Sequence, residues 1–393
     1  MLRFRTLAMW FALGTILFAC APRGVVTIVP TQDTRGYVAP IFVATTRAPS
    51  ENPFDFSRER QAKVSMAQYD ISVPVTHKIG KIEWPKGAPN VTKDMVTLNA
   101  QKITTRTDFI NRANKYKKHG EEAVVFIHGY NNTFAEGLYR FAQVANDVEI
   151  KGPKYHYSWP SAGDARGYIY DRDSVLFARD GLEQMLNDVA RTNTDGIFIV
   201  AHSIGSALVI ETLRQMSIAG NGNLNGKLRG VIMISPDIDV NVFTESLKRI
   251  QPRPEPLLIF VSKNDIALKL SSFLTGKENR LGLVENLNAL QGTNVEIIDV
   301  SAFDDGDGFL NHSVAITSPT VLNLLKNRKI METILDPKSS SLKGTNIISR
   351  VVQTVNDVTQ IILNPKAIQC TKTLQTISVQ FLTFPTNVSS FAM

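Results

Sequence analysis

The chain reads as an α/β protein built on a mostly parallel, doubly wound sheet with helices on both faces, and three observations point there. Apolar runs of strand length recur at residues 123–127, 155–159, 196–201, 231–235, 257–262 and 295–300. Between them, residues 134–148 and 175–190 space their apolar side chains by three and four, as amphipathic helices do. The runs are also continuously apolar rather than alternating, the pattern of strands covered on both faces. No repeat with a period of roughly 20 to 50 residues is visible, which excludes a solenoid.

Composition narrows the class further. A chain of 393 residues with 43% hydrophobic and 20% charged content buries enough apolar surface to fold, so bulk disorder is excluded and one large domain with appendages is expected. The 43 Lys+Arg against 36 Asp+Glu leave a net charge of +7, but the basic residues are scattered, so nothing points to nucleic acid. The two cysteines, Cys20 and Cys370, build neither a disulfide framework nor a Cys-based zinc site. No metal or cofactor is called for, and catalysis falls to other side chains.

Residues 1–20 carry Arg3 and Arg5, an apolar run from Leu7 to Phe18, and Ala19-Cys20. This is the layout of a secretory signal, too short to span a hydrocarbon core of about 30 Å comfortably. Leu17-Phe18-Ala19-Cys20 resembles the lipobox of bacterial lipoproteins, which implies that Cys20 is lipidated and that the protein is exported and membrane-anchored in the cell envelope. Plain cleavage is the alternative, since Phe18 is bulky for that motif.

Residues 21–38, rich in Pro, Gly and Thr, read as a linker. Residues 39–120 hold β-prone runs at 41–45 and 69–73 as a cap-like segment, with the charged stretch 57–63 as loop or helical turn. The α/β core occupies 121–330. In the remainder, 331–393, Ile348, Val351, Val352, Val355, Val358 and Ile362 fit one face of a helix ending before Pro365. The tail beyond it has no functional reading.

The chemistry centres on Ala201-His202-Ser203-Ile204-Gly205, where a serine follows a buried strand and precedes a helix. A nucleophile elbow needs that context, with small residues two before and two after the serine so that strand and helix can approach. A helix N-cap serine would fit the same short pattern. Chain order separates the two, because a Ser-His-acid site of this type needs its acid and then its histidine downstream. Of six histidines only His312 lies downstream of Ser203, in a loop after the last apolar run. Asp265, just past the run at 257–262, is the favoured acid. Asp237 and Asp239 are its rivals, while Asp299 lies inside the last run and Asp304, Asp305 and Asp307 belong to an acidic loop. The amides of Ile204 and Tyr130, the latter following Gly129, are placed to stabilise an oxyanion. His128 and His202 read as structural histidines, with the His202 side chain leaving the turn opposite to the serine. Tyr168 and Tyr170 either line a cleft or pack as core.

The motifs Phe126-Ile127-His128-Gly129-Tyr130-Asn131, Tyr157-Ser158-Trp159-Pro160-Ser161, Ala201-His202-Ser203-Ile204-Gly205, Ser235-Pro236-Asp237-Ile238-Asp239, Ser262-Lys263-Asn264-Asp265 and Asn311-His312-Ser313 stand in this order. With Ala44-Thr45-Thr46-Arg47 they resemble the DUF900 family of α/β-hydrolases over roughly residues 40–325. The resemblance implies an α/β-hydrolase fold and a serine-hydrolase triad, with Ile204 where the family usually has methionine. The expected function is hydrolysis of a small-molecule or lipid carboxylic ester or thioester through an acyl-enzyme. A non-catalytic envelope lipoprotein on the same fold, and an acyltransferase or peptidase using the same triad, are the alternatives. Dehalogenase and epoxide hydrolase chemistry would place Asp at the elbow, not Ser.

Overall fold

The computed structural model describes residues 23–31, 35–118, 120–276, 279–284, 286–306, 311–327, 347–355 and 358–365. Residues 1–20 with Cys20, and the tail from 366, lie outside the described residues. Three strands open the fold: β1 (Tyr37–Pro49), β2 (Phe56–Val73) and β3 (Val96–Ile103), followed by α1 (Arg106–Asn114). Strands and helices then alternate: β4 (Ala123–Ile127), α2 (Phe134–Asp147), β5 (Lys154–Ser158), α3 (Tyr168–Phe177), α4 (Arg179–Ala190), β6 (Ile197–His202) and α5 (Gly205–Ile218). The series continues with β7 (Leu228–Ile234), α6 (Val240–Leu247), β8 (Leu257–Val261), α7 (Ile266–Thr275), β9 (Glu296–Asp299), α8 (Val314–Thr317) and α9 (Pro319–Lys326), and ends in β10 (Ile347–Val355) and β11 (Val358–Pro365).

All the strands join one 11-stranded sheet in the order β10, β11, β9, β8, β7, β6, β4, β5, β1, β2, β3. From β11 to β1 every neighbouring pair is parallel. The pairs β1 with β2, β2 with β3, and β10 with β11 are antiparallel. The apolar runs of the sequence are the central strands, and their side chains feed two layers alternately. Val125 and Ile127 of β4 pack with Leu182 and Leu186 of α4 and Leu208 of α5, whereas Phe126 packs with Phe134, Leu138 and Phe141 of α2. Burial on both faces is why these runs lack alternation. The loops at the C-terminal ends of β4, β6, β8 and β9 meet at one edge of the sheet, where open α/β folds place their sites.

Three expectations are corrected here. Residues 347–355 and 358–365 form the antiparallel pair β10–β11 rather than a helix, with β11 pairing in parallel with β9. The three- and four-residue spacing fits a helix, but the residues carrying it are all β-branched, which lose side-chain freedom in a helix and suit a strand. The charged stretch 57–63 is part of β2, whose outer half stays largely exposed. Residues 23–31 are docked rather than a free tether. The Arg23 guanidinium donates to the Asn131 side chain (3.0 Å) and to the Asn131 carbonyl (2.6 Å), and it pairs with Glu136. Farther along, Val29 N–H donates to the Thr97 carbonyl (2.9 Å).

Arg47 ties the early strands to the core. Almost fully buried, at a register shift in β1, its guanidinium donates to Ser158 Oγ (3.0 Å) and to the carbonyls of Asn132 (2.8 Å), Ser161 (3.0 Å) and Ser57 (3.2 Å). Burial pushes its pKa down to about 10, against the pull of Asp171, so it remains charged at neutral pH. Buried Asp171 holds the other side of the same loops, accepting from Ser161 Oγ (2.6 Å), Ala162 N–H (2.6 Å) and Asn131 N–H (3.2 Å). Arg47→Met keeps the stem and strands several buried acceptors, each worth about 1–3 kcal/mol when left unpaired. Urea unfolding should therefore show a loss of about 3 kcal/mol or more. A variant as stable as the parent would show that these contacts do not clamp the loops.

Candidate active site

Ser203 occupies the turn between β6 and α5 with a φ of 55°, a left-handed conformation uncommon for a residue with a Cβ. Its N–H donates to the Ile234 carbonyl of β7 (2.9 Å). Two glycines make room for the turn. A Cβ on Gly129, in the loop after β4, would stand 2.7 Å from His202 Nδ1 and 2.9 Å from Ser203 Cβ. One on Gly205 would stand 2.4 Å from the His128 carbonyl, so α5 could not approach β4 as it does. Gly205, one of the small residues of the elbow pattern, is thus explained by its contact with the neighbouring loop.

Asp265 follows β8 by a short turn and is wholly buried as the N-cap of α7. One oxygen, Oδ1, accepts from Leu268 N–H (2.9 Å), and the other, Oδ2, accepts from His312 Nδ1 (2.8 Å). The carboxylate is held by the helix end and in turn fixes the imidazole, so that the Nδ1 proton points to Asp265 and Nε2 keeps its lone pair. Ser203 and His312 line one cavity of about 430 Å³ with Tyr130, Asn131, Tyr168 and Leu268. Larger hollows of about 690 and 1100 Å³ lie elsewhere, and neither touches Ser203.

The other acids have different partners. Asp237 accepts from Ser271 Oγ (2.7 Å) and the Tyr168 hydroxyl (3.0 Å), and pairs with Arg280 (3.3 Å). Asp239 caps α6 through the amides of Asn241 and Val242. Asp299 closes a turn onto Ser301 N–H (2.9 Å), and Asp305 accepts from Thr320 Oγ1 (2.6 Å). Asp307 lies outside the described residues.

His128 stacks on Trp159 with ring centroids 4.9 Å apart and has carbonyls on both sides, Gly129 O at 2.9 Å and Trp159 O at 3.1 Å. Burial, helped by the charges of Arg47 and His156, holds it well below the usual histidine range. It is a structural side chain.

His202 departs from its expected orientation. Its ring lies 4.8 Å from that of His312, it lines the same cavity, and Nε2–H donates to the His312 carbonyl (3.1 Å). Burial, with His312 nearby, pushes its pKa down to about 3, which keeps it neutral. The residue before the serine therefore anchors the backbone of the histidine that faces it, a contact that sequence spacing does not announce.

The amides of Tyr130 and Ile204 make no hydrogen bond among the described residues. The Tyr130 hydroxyl donates to the Ala165 carbonyl and its ring meets Tyr168 edge-on at 5.6 Å. Tyr168 thus lines the cavity, whereas Tyr170 lies outside it, stacked under Arg60 at 4.2 Å. Among the described residues no group of His, Cys, Asp or Glu side chains could hold a metal ion.

A family model described as an alpha/beta hydrolase of unknown function, DUF900, matches residues 102–328 and so spans all of these loops. The chain belongs to this family. The DUF900 match and the parallel sheet give the fold the same name, α/β-hydrolase. Similar solved structures include lipase B of Aspergillus fumigatus, at 11% identity and a TM-score of 0.35, covering 53% of this chain and 52% of the lipase. A thermostable esterase from Pseudomonas putida ECU1011 is 10% identical with a TM-score of 0.36, over 76% of this chain and 82% of its own. An inhibited esterase B from Lactobacillus rhamnosis is 11% identical with a TM-score of 0.33, over 76% and 85%. No protein of curated function matches the sequence.

The two carboxylates near the site can be told apart without any substrate. A low-field imidazole N–H resonance, from the Nδ1 proton shared with Asp265, should be present in the parent and in Asp237→Asn. It should be absent in Asp265→Asn. Loss of the resonance in Asp237→Asn alone would reverse the assignment.

Proposed function

We propose that this protein is a serine hydrolase that cleaves a carboxylic ester or thioester through an acyl-enzyme on Ser203. The observation that carries the reading is the buried Asp265–His312 hydrogen bond of 2.8 Å beside a serine held at positive φ in the same cavity. His312 Nε2 takes the hydroxyl proton as Ser203 Oγ attacks the acyl carbon, then returns it to the leaving alkoxide or thiolate. Water deprotonated by the same nitrogen hydrolyses the acyl-enzyme. Asp265 keeps the imidazole in the required tautomer and stabilises the imidazolium that forms. The Tyr130 and Ile204 amides serve the oxyanion of each tetrahedral intermediate.

The cavity lining bears on the substrate. Ala267, Leu268, Leu270 and Leu274 give the lining apolar side chains, and Tyr130 and Tyr168 add aromatic rings. Such a lining suits an acyl chain or another apolar group better than a charged one. The run from Leu7 to Phe18 ending at Cys20 supports export to the cell envelope, with Cys20 carrying lipid.

A fluorophosphonate probe tests the nucleophile directly. The parent should be labelled, and Ser203→Ala should lose both labelling and turnover of p-nitrophenyl esters while unfolding at the parent's urea midpoint. Undiminished labelling of the variant would remove Ser203 from the mechanism.

A further inference from the structure

Helix α7 is amphipathic in the wrong sense for a helix packed on a soluble core. Its buried face carries Ser271 and Ser272 beside Leu268, while Ile266, Leu270, Phe273 and Leu274 are exposed, Phe273 at 82%. Residues at these spacings share one side of a helix, so the four form a continuous apolar strip, joined by exposed Lys269. Helix α3, whose Tyr168 also lines the cavity, exposes Ile169, Leu176 and Phe177 beside Arg172 and Asp173, while it buries Tyr168, Asp171, Ser174 and Val175. The strip is continuous with the site, because Leu270 and Leu274 also line the cavity that holds Ser203. Apolar surface of this kind, rimmed by polar residues, marks an interaction face.

The path of the chain, taken with the lipid anchor proposed at Cys20, points to what covers it. Asn131 lines the same cavity, and Arg23 is fastened to Asn131 by two hydrogen bonds. Cys20, at the end of the apolar run, precedes Arg23 by three residues, which span at most about 11 Å even when fully extended. A membrane holding residues up to Cys20 therefore cannot stand far from the cavity mouth.

We propose that α7, with the exposed apolar side chains of α3, docks on the lipid bilayer surface, and that the cavity receives the acyl chain of an ester presented there. The phenyl ring of Phe273 and the side chains of Leu270 and Leu274 enter the interfacial region, and Lys269 faces the anionic headgroups. The substrate half of this inference rests on the assignment of Ser203 as nucleophile; the docking half rests instead on the lipid anchor proposed at Cys20.

The full chain, mixed with vesicles of phosphatidylethanolamine and phosphatidylglycerol, separates the two halves. Phe273→Trp should be quenched by brominated phospholipid beyond the quenching of the parent. Phe273→Glu should lower turnover of vesicle-borne 4-methylumbelliferyl oleate about tenfold or more, the factor for withdrawing one phenyl group from apolar surroundings, and leave soluble p-nitrophenyl acetate turnover unchanged. An unquenched Phe273→Trp overturns docking whatever the turnover shows, and a chain that is dimeric in solution with that tryptophan shielded assigns the strip to a second copy instead. Equal loss on both esters, or on neither, also overturns it. If the parent cleaves neither ester, the ester-hydrolase reading fails, and the quenching result still decides docking.

Discussion

The site depends on one crowded point, where the loop after β4 crosses the turn after β6 so closely that neither Gly129 nor Gly205 has room for a side chain. At that contact Ser203 holds a positive φ, and Tyr130 and His202 line the same cavity, the His202 ring lying 4.8 Å from that of His312. The β4 loop is itself fixed from beneath. Arg47 takes the Asn132 carbonyl and Asp171 takes the Asn131 amide, a cation and an anion gripping successive residues of one loop. A buried cation with four acceptors and a buried anion with three donors are stable there because each is saturated with hydrogen bonds.

The carboxylates divide the work by where the chain puts them. Asp265 sits at a helix N-terminus, where the Leu268 amide fixes its orientation, so it can hold an imidazole without rotating away. Asp237 is just as buried, but its oxygens are taken by Ser271, Tyr168 and Arg280, and it braces the wall of the cavity. Asp171 of α3 and Ser271 of α7 supply these networks from the inward faces of their helices, and α7 turns an apolar face outward.

Much of this was legible in the sequence where burial on two faces or chain order removed alternatives. The central strands could be read because nothing else buries apolar runs of five or six residues between amphipathic helices. His312 could be read because no other histidine follows Ser203. Asp265 over Asp237 was a preference in the sequence, and the structure sets Asp265 against His312 Nδ1 and Asp237 against Ser271, Tyr168 and Arg280. The antiparallel pair β10–β11 was misread because valine and isoleucine at three- and four-residue spacing fit either structure, and the pairing of β11 with β9 is a tertiary fact. Residues 23–31 were misread because Pro, Gly and Thr describe an absence of helix, which a docked segment and a loose one share. The exposed strip of α7 could not be foreseen, since periodicity shows that a helix has two faces but not which one points outward.

The account stands or falls on covalent chemistry at Ser203. Acid quenching during turnover of a p-nitrophenyl ester, followed by digestion and mass analysis, tests it most directly. An early release of p-nitrophenolate stoichiometric with the protein, and an acyl group on the peptide carrying Ser203, is the predicted result. Product release with the acyl group on another residue, or with no acylated peptide at any quench time, would contradict it.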